Sequence, residues 1–219
     1  MSNQMPSMPS YNPADARSQT GMYEFIIKQV MQRLEKVTPA QVLSYDRRSN
    51  RANVQVLAQE ITSLGEKLPR QPIPNMPVLM LSGGGFVISL PVKKGDVGWI
   101  VSADRDISVF KRLLQMFAPN TYRKHKYESG FFIPDKVNGF EIAQEDTDAL
   151  LFTSIDGTTK ISMKPNEITL TAPTTKVNGN LLVNGQVDAT GDVNGAGISL
   201  KTHVHPGVQT GSGTTGEPQ

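Results

Sequence analysis

The sequence predicts a mainly β protein, in which an N-terminal barrel with short helices precedes a C-terminal needle of intertwined β-structure. Three observations support this fold class. Short apolar runs alternate with turn residues through most of the chain. Glycines recur at a fixed spacing of six near the C-terminal end. The hydrophobic content of 37% is low for a fully globular protein, as expected if part of the chain is a thin fibre.

The first residues are predicted to form a flexible arm, followed by a helix. Residues 1–20 are rich in Pro, Ser, Asn and Gln, a composition that does not favour a packed element. From residue 22 to residue 36, apolar side chains such as Phe25, Val30 and Leu34 follow helical spacing. The apolar face of this amphipathic helix could pack on its own domain or dock on a neighbouring subunit or protein, and the sequence leaves both open.

Residues 21–150 are predicted to form a five-stranded barrel interrupted by a helix. Gly83, Gly84 and Gly85 indicate a turn, because no Gly-Lys-Ser/Thr follows them as in a phosphate-binding loop. Asp104 is expected to cap the helix that follows it. This arrangement is the general plan of the OB-fold, the oligonucleotide- and oligosaccharide-binding fold. Strands are expected at residues 40–45, 52–57, 78–81, 86–90 and 97–103.

Residues 151–202 are predicted to form the needle. Short strands at residues 150–152, 160–163 and 168–170 lead into four hexads, which are marked by Gly179, Gly185, Gly191 and Gly197. Because six is a multiple of the two-residue period of a strand, the apolar members of the hexads share one face. Hairpins within this stretch would have strands of about four residues, too short for a stable sheet. Identical chains wrapped around one axis would bury the shared face.

His203 and His205 are the candidate metal ligands. Successive side chains of an extended strand point to opposite faces, so the two imidazoles project to the same side. Imidazole is the commonest protein ligand for metals, but two nitrogens leave a first-row cation undersaturated. A metal site here therefore needs further ligands, either from elsewhere or from other copies of the chain. Three chains would supply six nitrogens for an octahedral ion and two chains four for a tetrahedral one, and the spacing alone leaves both open.

Two other clusters are weaker candidates for a functional site. Residues 123–126, next to Tyr122 and Tyr127, are basic and could hold phosphates while the rings stack on bases, but a solvated loop is expected. The acidic residues near position 145 could form a pair of carboxylates for glycoside hydrolysis, yet no pocket is visible. No enzymatic activity, no small-molecule substrate and no nucleic-acid ligand are expected. The acidic residues in question are Glu141, Glu145, Asp146 and Asp148.

Composition excludes several classes of function. The net charge of +2 argues against a strongly charged ligand. The chain has no cysteine, which excludes disulfides and thiol catalysis. No apolar run approaches the roughly 20 residues that span a bilayer, and the N-terminal residues lack the pattern of a secretory signal. The sequence therefore predicts a chain that is neither secreted by a signal peptide nor anchored in a membrane.

Two segments resemble the central spike proteins of contractile-tailed bacteriophages. The apolar hexads, the Thr-His-Val-His-Pro-Gly of residues 202–207 and the glycine-rich residues 211–219 resemble the apex of that family. Residues 93–100 and 104–108 resemble its N-terminal barrel. The resemblance implies a homotrimer whose intertwined β-helix needle ends in a metal-bearing apex and tail at residues 203–219. It implies an iron ion on the trimer axis, held by His203 and His205, although imidazole also accepts zinc or nickel.

The resemblance also implies a structural role in the virion. The barrel would attach to a tail hub protein, and the needle would pierce the host outer membrane when the tail contracts. The protein would be assembled in the host cytoplasm, reside in the tail baseplate and be delivered into the host envelope. Two alternatives remain: the spike of a contractile secretion or toxin-delivery system, and an OB-fold module that binds oligonucleotides.

Overall fold

The computed structural model describes residues 18–32, 34–61, 65–205, 207 and 211. Most of the predicted arm and most of the predicted tail after Pro206 lie outside these residues. The chain divides after Ala143 into two compact units. In the described residues, no helix is both long and apolar enough to cross a bilayer.

The described residues are mainly β, as predicted. Two α-helices are present in them, α1 (Gln19–Gln32) and α2 (Ser108–Leu113). Short 3-10 helices occupy Tyr127–Ser129 and Gln144–Asp146. The strands are β1 (Val37–Asp46), β2 (Arg51–Val56), β3 (Glu60–Ile61), β4 (Lys67–Leu68), β5 (Ile73–Pro77), β6 (Leu81–Gly83), β7 (Phe86–Ile88), β8 (Val97–Val101), β9 (Phe131–Pro134), β10 (Leu150–Thr153), β11 (Lys160–Lys164), β12 (Glu167–Thr171), β13 (Asn194–Gly195) and β14 (Ile198–Ser199).

The first unit is built on a five-stranded antiparallel sheet in the order β5-β2-β1-β8-β9. The ladder between β1 and β2 shifts between Val42 and Ser44, and such irregularities bend a strand. The two edges of the sheet approach each other where Val78 forms a parallel bridge with Phe132. The Leu79 N–H donates to the Phe132 carbonyl at 2.8 Å. The sheet is therefore a curled half-barrel.

The core of this unit lies on the concave side of the curled sheet. Buried residues alternate with exposed ones along β1 and β2, because every second side chain of a strand faces inward. Gly98 of β8 lets β9 approach closely: a Cβ atom there would lie 2.1 Å from the Ile133 carbonyl oxygen. The buried apolar residues are Ala40, Val42, Ala52, Val54, Val56, Ile73, Met76, Val78, Val92, Ile100, Tyr127 and Phe132.

The chain turns at Gly83, Gly84 and Gly85 as predicted, and also between the strands expected at residues 40–45 and 52–57. The Asp46 carboxylate closes the β1–β2 turn by accepting hydrogen bonds from the Arg48 N–H and the Ser49 hydroxyl. Strands β6 and β7 pair as a hairpin, and Gly84 and Gly85 at its tip have φ of 57° and 85°. Glycine adopts such values without steric cost.

The two helices differ from their predictions. Helix α1 begins at Gln19 and ends at Gln32, whereas the predicted helix ran from residue 22 to residue 36. The predicted capping of α2 by Asp104 is wrong. The Ser108 N–H at the start of α2 donates instead to the Asp106 carboxylate at 2.9 Å. Asp106 is held in that position because its second oxygen accepts the Thr121 hydroxyl at 2.8 Å.

The second unit contains a three-stranded antiparallel sheet, β10-β11-β12, and the two-stranded hairpin β13-β14. The strands predicted near residues 150, 160 and 168 are confirmed. Residues 172–193, which include three of the four hexad glycines, lie in no helix or strand. The predicted β-helix needle is therefore not shown by a single chain, as its ladder bonds would run between copies.

Candidate metal centre and exposed apolar surfaces

A small hairpin precedes the two histidines. Strands β13 and β14 pair through Asn194 with Ser199 and through Gly195 with Ile198. The two loop residues, Ala196 and Gly197, have φ of 51° and 85°. Positive φ at both loop residues is the mark of a type I′ turn, whose twist matches the paired strands. The chain is thereby reversed just before it reaches the candidate ligands.

Ser199 organises the turn that carries His203. Its carbonyl accepts the His203 N–H at 3.1 Å, and its hydroxyl oxygen accepts the Thr202 N–H at 3.0 Å. The Asp192 carboxylate accepts the Lys201 N–H at 3.1 Å. The hydrogen bond from the Ser199 hydroxyl is the main cause that lowers the pKa of Asp192, and the Lys201 N–H lowers it further. These contacts fix the direction in which His203 leaves the hairpin.

The rings of His203 and His205 lie together, as the alternation of side chains predicts. Their centroids are 5.1 Å apart and their planes are inclined by 81°. Metal–nitrogen bonds of about 2.1 Å put the centroids of two imidazoles at neighbouring positions of one ion about 4.6–5.3 Å apart. The separation of the two rings fits that range. It does not separate octahedral from tetrahedral coordination.

The hydrogen bonds of His203 also suit a ligand. Its Nδ1 lies 3.1 Å from the carbonyl oxygens of Ser199 and Leu200. A carbonyl can only accept, so we assign the proton to Nδ1. The lone pair is then on Nε2, the arrangement found where a backbone carbonyl orients a metal-binding histidine. Ser199 and Asp192 were not predicted from the sequence, although Ser and Asp are typical of turns that bond their own backbone.

One chain provides only part of a metal site. In the described residues, no group of three or more His, Asp or Glu side chains comes together. Two imidazole nitrogens leave most first-row cations undersaturated. The donors present therefore fit an ion that several copies of the chain share.

The β10-β11-β12 sheet has an apolar face that is largely exposed. Cross-strand pairing aligns Leu150, Met163 and Ile168 in one row. Residues directly opposite each other share a face, and so do residues two apart along a strand, so a second row lies on the same side. Leu150 is 61% exposed and Ile168 is 67% exposed. The second row consists of Phe152, Ile161 and Leu170.

The opposite face of this sheet is polar and covered by the 3-10 helix Gln144–Asp146. The buried Asp146 carboxylate accepts the Lys160 ammonium at 2.6 Å and the Ser162 hydroxyl at 2.7 Å. The Lys160 bond is the main cause that lowers the pKa of Asp146. Lys164 lies 3.4 Å from Asp148. These acidic residues, considered above for glycoside hydrolysis, thus pair with lysines of β11.

The structure divides the predicted basic cluster into two parts. Lys126 lies 3.4 Å from Glu35, and the buried Tyr127 donates its N–H to Glu35 at 2.8 Å. These two residues therefore hold the segment after α1. Tyr122 and Lys124 are exposed and line a cavity of about 300 Å³ together with neighbouring residues. The other residues lining this cavity are Arg105, Pro119, Asn120, Thr121 and Arg123.

Two family models match the chain. Residues 38–135 match the N-terminal domain of phage protein Gp138, a stretch that covers the curled half-barrel from β1 to β9. Residues 197–219 match the GpV apex motif, which includes His203 and His205. No curated protein matches the chain. Both models describe phage central spike tail proteins, so the resemblance read from the sequence is confirmed.

Proposed function

We propose that the chain forms the homotrimeric central spike at the tip of a contractile phage tail and mechanically pierces the host outer membrane. The observation that carries this proposal is the exposed apolar face of the second unit. Apolar side chains of the hexads, such as Leu181, Val183 and Val187, are also exposed. A chain that presents these side chains to water in isolation requires partners, and identical copies around one axis would cover them all at once.

Burial supplies the driving force for such a trimer. Covering the exposed half of a Leu, Ile or Phe side chain contributes about 1 kcal/mol. The five large side chains of the β10-β11-β12 face that are more than 40% exposed would contribute about 5 kcal/mol per chain, before the entropic cost of association. The polar face is already occupied by Asp146 and Lys160. Association is therefore directed to one side of the sheet.

The proposed metal site lies at the tip and joins the ends of the three chains there. Three copies of His203 and His205 would supply six nitrogens, and iron is proposed on the resemblance, with zinc or nickel also compatible with imidazole. When bound, the ion would hold three chain ends together where the trimer is thinnest. Ser199 orients His203 through its backbone carbonyl, and the carbonyl keeps the Nδ1 proton away from the ligand position.

The first unit is proposed to be an OB-fold barrel that attaches the spike to a tail hub protein. The strand order of the curled sheet and the parallel bridge between Val78 and Phe132 support the partly open five-stranded barrel of that fold. The β6–β7 hairpin gives this unit an apolar surface on which a hub could pack. Phe86 at its tip is 83% exposed.

Native mass and metal content of the full chain test the trimer and the metal site together. The purified protein is expected to have the mass of three chains with one metal ion per trimer. Changing His203 and His205 to Ala should remove the metal and leave the trimer. The matched control is His125→Ala, because the chain has three histidines and the third lies in the first unit. A protein of one-chain mass, or full metal content in the double variant, contradicts the proposal.

Piercing is tested on assembled particles. Particles that carry the double histidine variant should adsorb to cells normally, because the barrel is unchanged. They should make the outer membrane permeable to a hydrophobic dye more slowly than particles carrying the control variant. Particles without this protein that permeabilise cells as fast as intact ones would exclude the piercing role.

A further inference from the structure

Helix α1 carries an apolar surface that is about half exposed in the described chain. No other helix or strand of the described residues packs extensively along it. It also lies outside the two matched segments, residues 38–135 and 197–219, so neither family model accounts for it. Its large apolar side chains are each between 46% and 61% exposed, and they are Met22, Tyr23, Ile26, Ile27, Val30 and Met31.

These six side chains form two ridges rather than one. Residues four apart follow one another on a helix surface, so Met22, Ile26 and Val30 form the first ridge. The second ridge begins at Tyr23 and is rotated by about 100° around the helix axis. The two ridges together span about 180°, whereas a helix that packs on a single surface needs a stripe of about 100°. The face of α1 is therefore wide enough for two neighbours.

The surface is also uncharged. The charged residues of α1 are Glu24 and Lys28, which have opposite signs and lie outside the two ridges, Lys28 nearly opposite Val30. Charge complementarity therefore cannot direct a partner to the two ridges. Helices shorter than about 12–15 residues are marginal in water on their own, and α1 has 14 residues. Its stability thus requires that the ridges be covered.

We propose that the α1 helices of three copies of this chain pack against one another as a three-helix bundle. This inference rests on the proposed trimer and adds to it an oligomerisation element in the first unit. Closed three-fold symmetry gives every helix two identical neighbours, one for each ridge. Ile26, Ile27 and Val30 are β-branched, and β-branched isoleucine at both core positions of a helix bundle favours three or more helices over two. Because the surface is apolar and uncharged, copies of the same helix can pack against one another without a partner of different chemistry.

Disulfide trapping in the full chain tests the bundle. The sequence has no cysteine, so Val30→Cys introduces a single thiol near the middle of the apolar face. Three thiols around one axis can form one disulfide and leave one thiol free. After mild oxidation, at most about two thirds of the chains should run as linked dimers on a denaturing gel. Lys28→Cys is the matched control on the opposite side, and its chains should stay unlinked.

Native mass is measured on the same samples, which separates this inference from the proposed function. A trimer in which Val30→Cys does not link, or links no faster than Lys28→Cys, overturns the bundle and leaves the spike proposal intact. A protein of one-chain mass overturns both. Ile26→Cys, on the same ridge one turn earlier, repeats the test should Val30→Cys fail to fold.

Discussion

Replacing Gly98 by Ala should lower the stability of the first unit, whereas adding the same methyl group at Gly83 should not. The added Cβ would lie 2.1 Å from the Ile133 carbonyl oxygen and 2.7 Å from the Phe132 ring, where ordinary contact begins at 3.4 Å. Phe132 is fully buried and cannot swing away. The strands β8 and β9 must therefore separate by about 1 Å, which strains or breaks the backbone bonds that join them.

The expected loss of stability has two causes, overpacking of the core and weakening of the backbone hydrogen bonds between β8 and β9. Overpacking a well-packed core costs about 1–3 kcal/mol, and each weakened backbone hydrogen bond adds about 1 kcal/mol. We expect a loss of about 3 kcal/mol in the free energy of unfolding, which lowers the melting temperature by roughly 10 °C for a unit of this size.

Trp99 provides the assay. It is the only tryptophan of the chain, it follows Gly98 in β8, and its indole N–H donates to the Asp135 carboxylate at 2.6 Å. Its fluorescence therefore reports the unfolding of the first unit in the full chain. Gly83→Ala is the matched control, because a Cβ at Gly83 meets no atom within 4 Å and its φ is not positive. Equal melting temperatures for the two variants would refute the close approach of β8 and β9.

Three further predictions concern single contacts. The bonds from the Ser108 N–H and the Thr121 hydroxyl lower the pKa of Asp106 to about 2, so its stabilising contribution is present above about pH 4 and lost as the pH falls towards 2. Asp106→Asn should therefore flatten the acid-unfolding curve followed by Trp99 fluorescence. Ser162→Ala removes a buried hydrogen bond to Asp146 and should destabilise the second unit by about 1 kcal/mol, measured by urea unfolding. Ala196→Gly relieves the positive φ of a non-glycine residue, so the Leu200 N–H should exchange with deuterium more slowly; faster exchange would contradict the type I′ turn.

Local patterns predicted β1, β2 and β8 of the curled sheet and the three strands β10, β11 and β12. Strands β5 and β9 of the curled sheet were not predicted, and the strands expected at residues 78–81 and 86–90 do not belong to it. The β1–β2 hairpin was visible because two alternating runs flank a polar segment, and neither run depends on distant residues for its pattern. The two-residue strands β3 and β4 of the first unit were not predicted, since a period of two cannot be recognised in so short a run.

Tertiary contacts explain the errors at the helices. The sequence favoured a helix through residue 36, but Glu35 receives the Tyr127 N–H and lies 2.9 Å from Arg70, contacts between segments far apart in the chain. They hold residue 35 outside the helix. Asp104 was predicted as the cap, but Asp106, which the distant Thr121 hydroxyl holds in place, accepts the Ser108 N–H instead.

The sequence predicted which residues form the candidate metal site, but not the contacts that orient them. The alternation of side chains placed the two histidine rings together, whereas the bonds that orient His203 come from a turn that only the structure reveals. The metal itself stays a prediction. A needle made of several copies could not appear in one chain, because its ladder would join residues of different molecules.

The locally bonded hairpin before His203 has a consequence for how copies would align during assembly. The glycine hexads repeat, so one chain could shift by six residues against another and still match apolar side chains. Such a shift would move the end of that chain by up to about 20 Å and separate its imidazoles from those of the other copies. Residues 192–203 bond mainly among themselves, so they can adopt their shape before long-range pairing forms. In the proposed trimer, the tip would thus fix the register in which the repeats of the three chains pair.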